Sequence, residues 1–185
     1  MSGVVESLNA KHTEAIASYI AEQLVGGETL LLNGELGAGK TCFVRGLCAG
    51  LGLSPRQVKS PSYNILHHYE GGRLEVQHFD AYFVREEGEF SRAGLDEFLA
   101  LGHVAVVEWA ERFPGAFSPQ AIRIDLEVVS EDCRRLTIQI GRNGEDAAIP
   151  APEGEWLRRL EVDAPALKVT PEDSSSEDSL NGAQD

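Results

Sequence analysis

The chain has 185 residues, of which 30 are acidic and 16 basic, so its formal net charge is −14. This charge argues against unaided nucleic-acid binding, because contacts between basic side chains and phosphates supply most of that affinity. The length and a hydrophobic content of 42% fit one domain with an ordinary core. The three cysteines form no C-x-x-C pair, and no signal peptide or membrane-spanning run is present, so we expect a cytoplasmic protein.

The first predicted elements are a helix, a buried strand and a second helix. Large apolar residues recur every four positions over residues 7–25, which predicts an amphipathic helix with Ser7 as its N-cap. The continuous apolar run 29–32 is typical of a strand that is buried on both faces of a parallel sheet. Helical spacing returns over residues 40–51.

The middle of the chain predicts two hairpins around another helix and strand. Residues 63–83 read as two strands joined by a turn at 70–72. Residues 91–101 have the spacing of a helix, and 104–107 form a second all-apolar run that predicts a strand. Apolar and polar residues alternate over much of 121–140, which predicts a second hairpin.

The C-terminal region changes in character. A short closing helix is predicted at residues 156–160, and we expect residues 1–163 to form one folded domain. Residues 164–185 carry five acids, one base and few apolar side chains, and contribute −4 of the net charge. Such a segment cannot bury enough surface to offset the entropy of ordering, so we expect a disordered acidic tail.

The segment 34–41 carries the clearest chemistry. It reads G-E-L-G-A-G-K-T and matches the pattern G-x-x-x-x-G-K-[ST], between a predicted buried strand and a predicted helix. In such a loop, backbone N–H groups and the helix N-terminus surround phosphate oxygens. Lys40 supplies a positive charge for the outer phosphates, and Thr41 supplies a hydroxyl for Mg²⁺. The residues predicted to bind the nucleotide here are Glu35, Leu36, Gly37, Ala38, Gly39, Lys40, Thr41 and Cys42.

Two acids occupy the positions where a P-loop enzyme holds Mg²⁺ and positions water. Glu108 ends the apolar run 104–107, and Asp80 lies near the end of a neighbouring predicted strand. The carboxyl ends of parallel strands beside the P-loop strand are where such acids are needed. We therefore predict that Glu108, Asp80 and Lys40 are catalytic and that Thr41, Glu108 and Asp80 bind the metal.

Three further features lie near these motifs. A hydroxyl in the loop 60–63 follows the P-loop helix, where switch loops place a side chain that senses Mg²⁺ and the γ-phosphate. Trp109 is available for stacking on a base or a partner, although a core position would suit it equally well. His67, His68 and His78 fall in the first predicted hairpin without metal-ligand spacing, so we expect them to be structural.

Four blocks in this order resemble the bacterial TsaE family of small P-loop ATPases in tRNA threonylcarbamoyladenosine synthesis. They span roughly residues 5–142, and the pairing of H-F-D with E-W at this separation is more diagnostic than the P-loop itself. The resemblance implies a P-loop NTPase-like α/β fold: a three-layer sandwich whose mostly parallel sheet carries antiparallel hairpin additions. The blocks are G-E-L-G-A-G-K-T at 34–41, V-K-S-P-S-Y at 58–63, H-F-D-A-Y at 78–82 and V-E-W-A-E-R at 107–112.

The resemblance also implies a function. Members of this family hydrolyse ATP slowly alone and associate with the TsaB–TsaD heterodimer, which they are thought to reset between turnovers. ATP and Mg²⁺ are then the cofactors, and tRNA is met only through the complex. Carried over to this sequence, Ser62 stands at the switch threonine and Trp109 at the tryptophan beside the nucleotide or partner, while Glu108 coordinates Mg²⁺ or orients water.

The sequence departs from the family pattern at three positions. Ser62 replaces a threonine and keeps its hydroxyl. Cys42 follows Thr41 where a second threonine is common. Phe83 stands where the family usually has arginine, so the protein does without that arginine or Arg85 substitutes for it.

Two other functions remain open on the residues alone. A small-molecule kinase would close an arginine-rich lid over the phosphates, but Arg134 and Arg135 fall in a predicted hairpin and no helical lid is evident. A nucleotide-dependent interaction module, in which hydrolysis is incidental, is the second alternative. A GTPase is disfavoured because the guanine-reading N-K-x-D is missing.

Overall fold

A sheet of seven strands runs through the part of the chain that the structure describes. The structure is a computed structural model and describes residues 2–61 and 65–140. The strands are β1 (Ser2–Ser7), β2 (Thr29–Asn33), β3 (Leu66–Tyr69), β4 (Val76–Asp80), β5 (Val104–Glu108), β6 (Ile122–Val128) and β7 (Arg134–Ile140). The helices are α1 (Ala10–Gln23), α2 (Lys40–Gly50), α3 (Gly88–Arg92) and α4 (Leu95–Ala100), with 3-10 turns at Pro55–Gln57 and Ala110–Arg112.

The strand order is β1-β7-β6-β2-β5-β4-β3. The four central strands β6, β2, β5 and β4 are parallel to one another, whereas β1, β7 and β3 pair antiparallel at the two edges. All five residues of β2 and all five of β5 are buried, as their continuous apolar runs predict. The predicted P-loop NTPase-like α/β fold with antiparallel hairpin additions is confirmed.

Helices cover both faces of the parallel strands and complete the three layers. On one face α1 and α2 pack through buried side chains such as Ile16, Phe43 and Leu47. On the other face a second apolar cluster joins α3 and α4 to the sheet, with Phe79 and Phe90 5.7 Å apart between ring centroids. The carboxyl ends of β2, β4 and β5 stay open between these layers, and the site lies there.

The N-terminal region differs from its prediction. Residues 2–7 form β1, which pairs with β7, and the predicted N-cap Ser7 is the last residue of this strand. The Ser7 hydroxyl bonds the Thr13 hydroxyl at 2.7 Å and is fully buried. The helix is instead capped by Asn9, whose Oδ1 accepts a hydrogen bond from the His12 N–H at 3.0 Å. The prediction of Ser7 as the cap was therefore wrong.

The predicted helix over residues 91–101 is two short helices. Gly94 separates α3 from α4 and has a φ of 85°, in the left-handed region that interrupts an α-helix and favours glycine. Both predicted hairpins are present as β3–β4 and β6–β7, although β3 and β4 are shorter than predicted.

Several predictions lie outside the described residues. They are the closing helix at 156–160, the domain boundary after residue 163 and the disordered acidic tail at 164–185. Among the helices in the described ranges, none combines the length and the apolar character that a membrane span requires.

Candidate active site

A cavity of about 610 Å³ opens where β2, β4 and β5 end. It brings together the P-loop, the loop after α2 and both predicted acids. Most of the residues that the sequence singles out therefore meet at one place. The cavity is lined by Leu36, Gly37, Gly39, Lys40, Thr41, Ser60, Asp80, Tyr82, Phe83, Glu108 and Trp109.

The P-loop turns sharply between the end of β2 at Asn33 and the start of α2 at Lys40. Gly34 has a φ of 137°, and a Cβ atom there would lie 2.4 Å from the carbonyl oxygen of Leu126 on β6. Only glycine fits both constraints. The loop is thus pressed against the neighbouring strand, and α2 begins directly behind it with its N-terminus toward the cavity.

The Lys40 side chain folds back over this loop. Its Nζ donates to the carbonyl oxygens of Gly34 at 2.6 Å and Glu35 at 2.9 Å, and lies 3.6 Å from the centroid of the Trp109 ring. Lys40 is 5% exposed, and burial lowers the pKa of its amine, while nearby carboxylates, Glu108 first, oppose that shift. The ammonium group is thus held at the loop by weak acceptors that a phosphate oxygen can replace.

Trp109 owes its position to an unusual backbone. It has a φ of 61°, in the left-handed region that a bulky residue seldom adopts, and its N–H donates to the Leu32 carbonyl oxygen at 2.9 Å. The bond ties the residue after β5 to the end of β2. As a result the indole faces Lys40 and packs against the Tyr82 ring at 5.3 Å between centroids.

Each of the two predicted acids is the last residue of its strand. The two strands are adjacent and parallel, and the acids lie directly opposite each other. Asp80 on β4 pairs with Glu108 on β5, and the two residues are 2% and 3% exposed, respectively. Thr41 Oγ1 donates to Glu108 Oε1 at 2.8 Å, which joins the start of α2 to the end of β5. The hydroxyl and the carboxylate predicted to bind Mg²⁺ are therefore already in contact.

Asp80 is held from its own strand end and from the loop after α2. Its Oδ1 accepts from the Tyr82 N–H at 3.0 Å, and its Oδ2 accepts from the Ser60 hydroxyl at 3.4 Å. In the part of this loop that the structure describes, the hydroxyl that reaches the site therefore belongs to Ser60. The predicted residue Ser62 lies outside the described residues.

The remaining predicted nucleotide-binding residues differ in how they face the cavity. Leu36 is 89% exposed at its rim, whereas Ala38 is fully buried behind the loop. The Cys42 thiol donates to the Ala10 carbonyl oxygen of α1 at 3.3 Å, so this side chain points away from the cavity. Burial raises the pKa of the Cys42 thiol, which favours its neutral form. A nucleotide contact from this position has to come from its backbone N–H.

Phe83, the departure from the family pattern, lines the cavity and is 47% exposed. Arg112 supports the same segment, since its Nη1 donates to the carbonyl oxygens of Ala81 and Tyr82. Its guanidinium carbon lies 5.5 Å from the centroid of the Tyr82 ring. The cavity wall beside Asp80 thus consists of aromatic side chains, and Arg112, in the turn after β5, holds it in place.

Arg134 holds the P-loop from behind, which the sequence did not reveal. Its Nε donates to the Ala38 carbonyl oxygen at 3.2 Å and its Nη2 to that of Gly37 at 3.3 Å. Its Nη1 donates to the carbonyl oxygens of Ser130, Glu131 and Cys133 in the β6–β7 turn, at 3.0 to 3.1 Å. One guanidinium therefore clamps the turn of the second hairpin to the loop.

His78, which the sequence predicts to be structural, also contacts a residue of the site. It is fully buried on β4, and its Nε2 lies 2.9 Å from Glu108 Oε1. The H-F-D block marks its position, but only the strand register shows that it faces Glu108: His78 pairs with Val106, so Glu108 is the diagonal neighbour on the same face.

Comparison with known proteins agrees with this arrangement. The family described as "Threonylcarbamoyl adenosine biosynthesis protein TsaE" matches residues 7–136. The tRNA threonylcarbamoyladenosine biosynthesis protein TsaE of Bacillus subtilis is 36% identical over 131 residues, which cover 71% of this chain and 81% of that protein. The protein of the same name in Treponema pallidum is 33% identical over 132 residues, which cover 71% and 96%.

A solved structure is similar as well. The crystal structure of YdiB from Bacillus subtilis superposes with a TM-score of 0.67 at 28% identity, covering 86% of this chain and 96% of that one. The family match takes in every described block of the site, from the P-loop to the acids and Trp109. The chain belongs to the TsaE family.

Proposed function

We propose that this protein is an ATPase that serves tRNA threonylcarbamoyladenosine modification. The observation that carries the proposal is the 2.8 Å contact between Thr41 Oγ1 and Glu108 Oε1, beside Lys40 in the P-loop. It gathers a hydroxyl, a carboxylate and an ammonium group where a P-loop would place the outer phosphates.

The donor set fits Mg²⁺ and a nucleoside triphosphate. Mg²⁺ prefers oxygen ligands, and the hydroxyl of Thr41 and the carboxylates of Glu108 and Asp80 supply them at one cavity edge. When bound, the ion would neutralise charge that develops on the phosphate oxygens. Gly34 fits the same use, because any side chain there would meet the backbone of β6 and displace the loop.

The residues of the chain then have distinct tasks. Lys40 exchanges its two carbonyl acceptors for phosphate oxygens, and the backbone N–H groups of residues 37–42 surround the same charge. Glu108 orients the attacking water. Because Glu108 is buried, that water is shielded from bulk solvent. Asp80 lies on the adjacent strand end and holds the loop through Ser60.

The biological role follows from the family. The family is named for threonylcarbamoyladenosine biosynthesis, and we propose that hydrolysis by this chain resets a TsaB–TsaD complex between turnovers. A net charge of −14 supports a subunit that leaves tRNA to its protein partners. We propose a cytoplasmic location, because a subunit of the tRNA modification machinery would act where tRNA is modified.

A kinase function lacks support among the described residues. Arg134 is engaged by five backbone carbonyl groups behind the P-loop. Arg135 pairs with Glu127 at 3.3 Å and Glu6 at 3.4 Å on the sheet. Neither arginine reaches over the cavity, as a lid residue would.

The test is the ATPase rate of the full chain with and without a TsaB–TsaD complex. We expect a low rate alone and stimulation by the complex, with both rates lost in Lys40→Ala. The matched control is Lys11→Ala, because Lys11 is exposed on α1. Phosphate transfer to a small acceptor without stimulation would favour the kinase, and nucleotide-dependent binding without hydrolysis would favour an interaction module.

A further inference from the structure

A line of hydrogen-bonding side chains leads from Glu108 into the first hairpin. His78 Nε2 lies 2.9 Å from Glu108 Oε1, and His78 Nδ1 lies 3.3 Å from the Tyr69 hydroxyl. The Tyr69 hydroxyl in turn lies 3.4 Å from the Lys59 carbonyl oxygen. The line therefore begins at a predicted metal ligand and ends in the backbone of the loop after α2.

The chemistry of the groups sets the direction of these bonds. A carboxylate only accepts, so the hydrogen of His78 is on Nε2 and is donated to Glu108. In neutral imidazole Nδ1 is then an acceptor, and the Lys59 carbonyl oxygen is an acceptor too. Tyr69 has one hydroxyl hydrogen for these two groups, so it can favour either the imidazole or the loop. His67 Nδ1, at 3.4 Å, is a further neighbour of the hydroxyl.

The burial of the line argues that it does more than fill space. His78 is fully buried, and Glu108 and Tyr69 are 3% and 6% exposed. Buried polar groups are costly unless they are hydrogen-bonded, and apolar side chains of this size would pack on the same strands without that cost. Burial also raises the pKa of Tyr69 to about 12, so the phenol keeps its hydrogen.

The same loop reaches the other acid by a second route. Ser60, the residue after Lys59, donates its hydroxyl to Asp80 Oδ2 at 3.4 Å. Two consecutive residues thus connect to both acids, Ser60 directly and Lys59 through Tyr69 and His78. A displacement of this loop by a bound nucleotide would be felt at both carboxylates.

We propose that His78 is a positioning residue for Glu108 and that Tyr69 couples this position to the loop at Lys59–Ser60. His78 fixes the Glu108 carboxylate by its Nε2–H, and Tyr69 turns its O–H hydrogen bond from the Lys59 carbonyl oxygen to His78 Nδ1 when the loop moves away. The proposal rests on the proposed ATPase function, because the acid that is positioned is the one assigned to hydrolysis.

The test compares three variants in the full chain with the TsaB–TsaD complex. His78→Leu removes the donor at similar volume, His78→Gln keeps an N–H donor toward Glu108, and Tyr69→Phe removes only the hydroxyl. We expect kcat to fall about 10- to 100-fold in His78→Leu with little change in KM, since loss of a group that orients a ligand has this effect. His78→Gln should recover most of that loss.

The second measurement reports on the loop itself. Trypsin can cleave after Lys59 and after Arg56, which are both exposed in the same segment, so Arg56 is an internal reference. Addition of a non-hydrolysable ATP analogue should change the ratio of the two cleavage rates. We expect this response to be smaller in Tyr69→Phe, because the connection to His78 is lost.

The outcomes separate the two proposals. An active wild-type protein with an unchanged kcat in His78→Leu overturns the role of His78, as does an equal loss in His78→Leu and His78→Gln that parallels a loss of thermal stability. If His78→Leu does not fold, His78→Gln and Tyr69→Phe decide, and an unaltered cleavage response in Tyr69→Phe overturns the coupling. Absence of hydrolysis in the wild type contradicts the proposed function instead, and the cleavage ratio then still tests the coupling.

Discussion

The ammonium group of Lys40 lies 3.6 Å from the centroid of the Trp109 ring. A cation over an indole face is attracted by the ring quadrupole, so the ring holds Lys40 at the loop together with the carbonyl groups of Gly34 and Glu35. Anything that moves this ammonium group changes the electrostatic environment of the indole.

We therefore expect ATP to change the fluorescence of Trp109. The chain has two tryptophans, and the second, Trp156, lies outside the described residues. The emission change on titration with ATP should persist in Trp156→Phe and disappear in Trp109→Phe. An undiminished change in Trp109→Phe would contradict the stacking of Lys40 as the origin of the signal.

Replacement of Glu108 by glutamine should reduce turnover more than binding. Glutamine keeps the size of the side chain and an acceptor for Thr41 but loses the charge. We expect kcat to fall by about 100-fold, in the range of a lost acid–base group, while the Kd of a fluorescent ATP analogue changes little. Glu97→Gln is the control, since Glu97 is exposed on α4. Wild-type turnover in Glu108→Gln would remove this acid from the mechanism.

Replacement of Arg134 by alanine should weaken both the fold and the P-loop. The carbonyl groups of Gly37 and Ala38 lose their donor, and so does the turn of the β6–β7 hairpin. A lost charged hydrogen-bonding group predicts about 1 to 3 kcal/mol less free energy of unfolding and a higher Kd for ATP. Denaturant unfolding and nucleotide titration measure the two effects.

The neighbouring Arg135 supplies the control for that prediction. It pairs with Glu127 and Glu6 on the half-exposed side of the sheet, where ion pairs contribute about 0 to 1 kcal/mol. Arg135→Ala should therefore cost less stability and leave the Kd for ATP unchanged. Equal effects of the two substitutions would mean that the contacts of Arg134 with the P-loop do not stabilise that loop.

The buried thiol of Cys48 should make the free energy of unfolding depend on pH in the alkaline range. Burial raises the pKa of this fully buried thiol to about 12, from an ordinary value of 9.0. The unfolded chain then releases the proton first, so the free energy of unfolding falls as pH rises from about 9 toward 12, by up to about 1.4 kcal/mol per pH unit from this group. Urea unfolding at about pH 8 and about pH 10.5 should show a smaller fall in Cys48→Ala than in the wild type. An identical fall in both proteins would contradict the burial of the thiol.

The elements that could be predicted are those whose signal is local. The apolar runs 29–32 and 104–107 identify β2 and β5 because strands covered on both faces have no alternation. The P-loop is contiguous in sequence, so its chemistry can be read from eight residues. Placing Asp80 and Glu108 together needed only the rule that parallel strands end at one edge, and the register confirms that placement.

The features that could not be predicted depend on register and on distant partners. His78 faces Glu108 only because β4 and β5 pair as they do, and Arg134 reaches the P-loop only because β6 lies beside β2. The strand β1 was missed because Ser2–Ser7 has little apolar content and gains its stability from pairing with β7. Gly94 interrupts a helical pattern that is continuous in the sequence.

The place of β2 in the sheet has a consequence for synthesis of the protein. Both neighbours of this strand follow it in sequence, since Leu30 pairs with Val106 on β5 and with Ile122 on β6. When the P-loop has just emerged from the ribosome, neither neighbour of β2 has been synthesised. The loop therefore has no sheet to hold it in place. Strand β2 has both of its neighbours only after residues 122–125 have emerged, so we expect any stabilisation of the growing chain by a nucleotide to come late in folding.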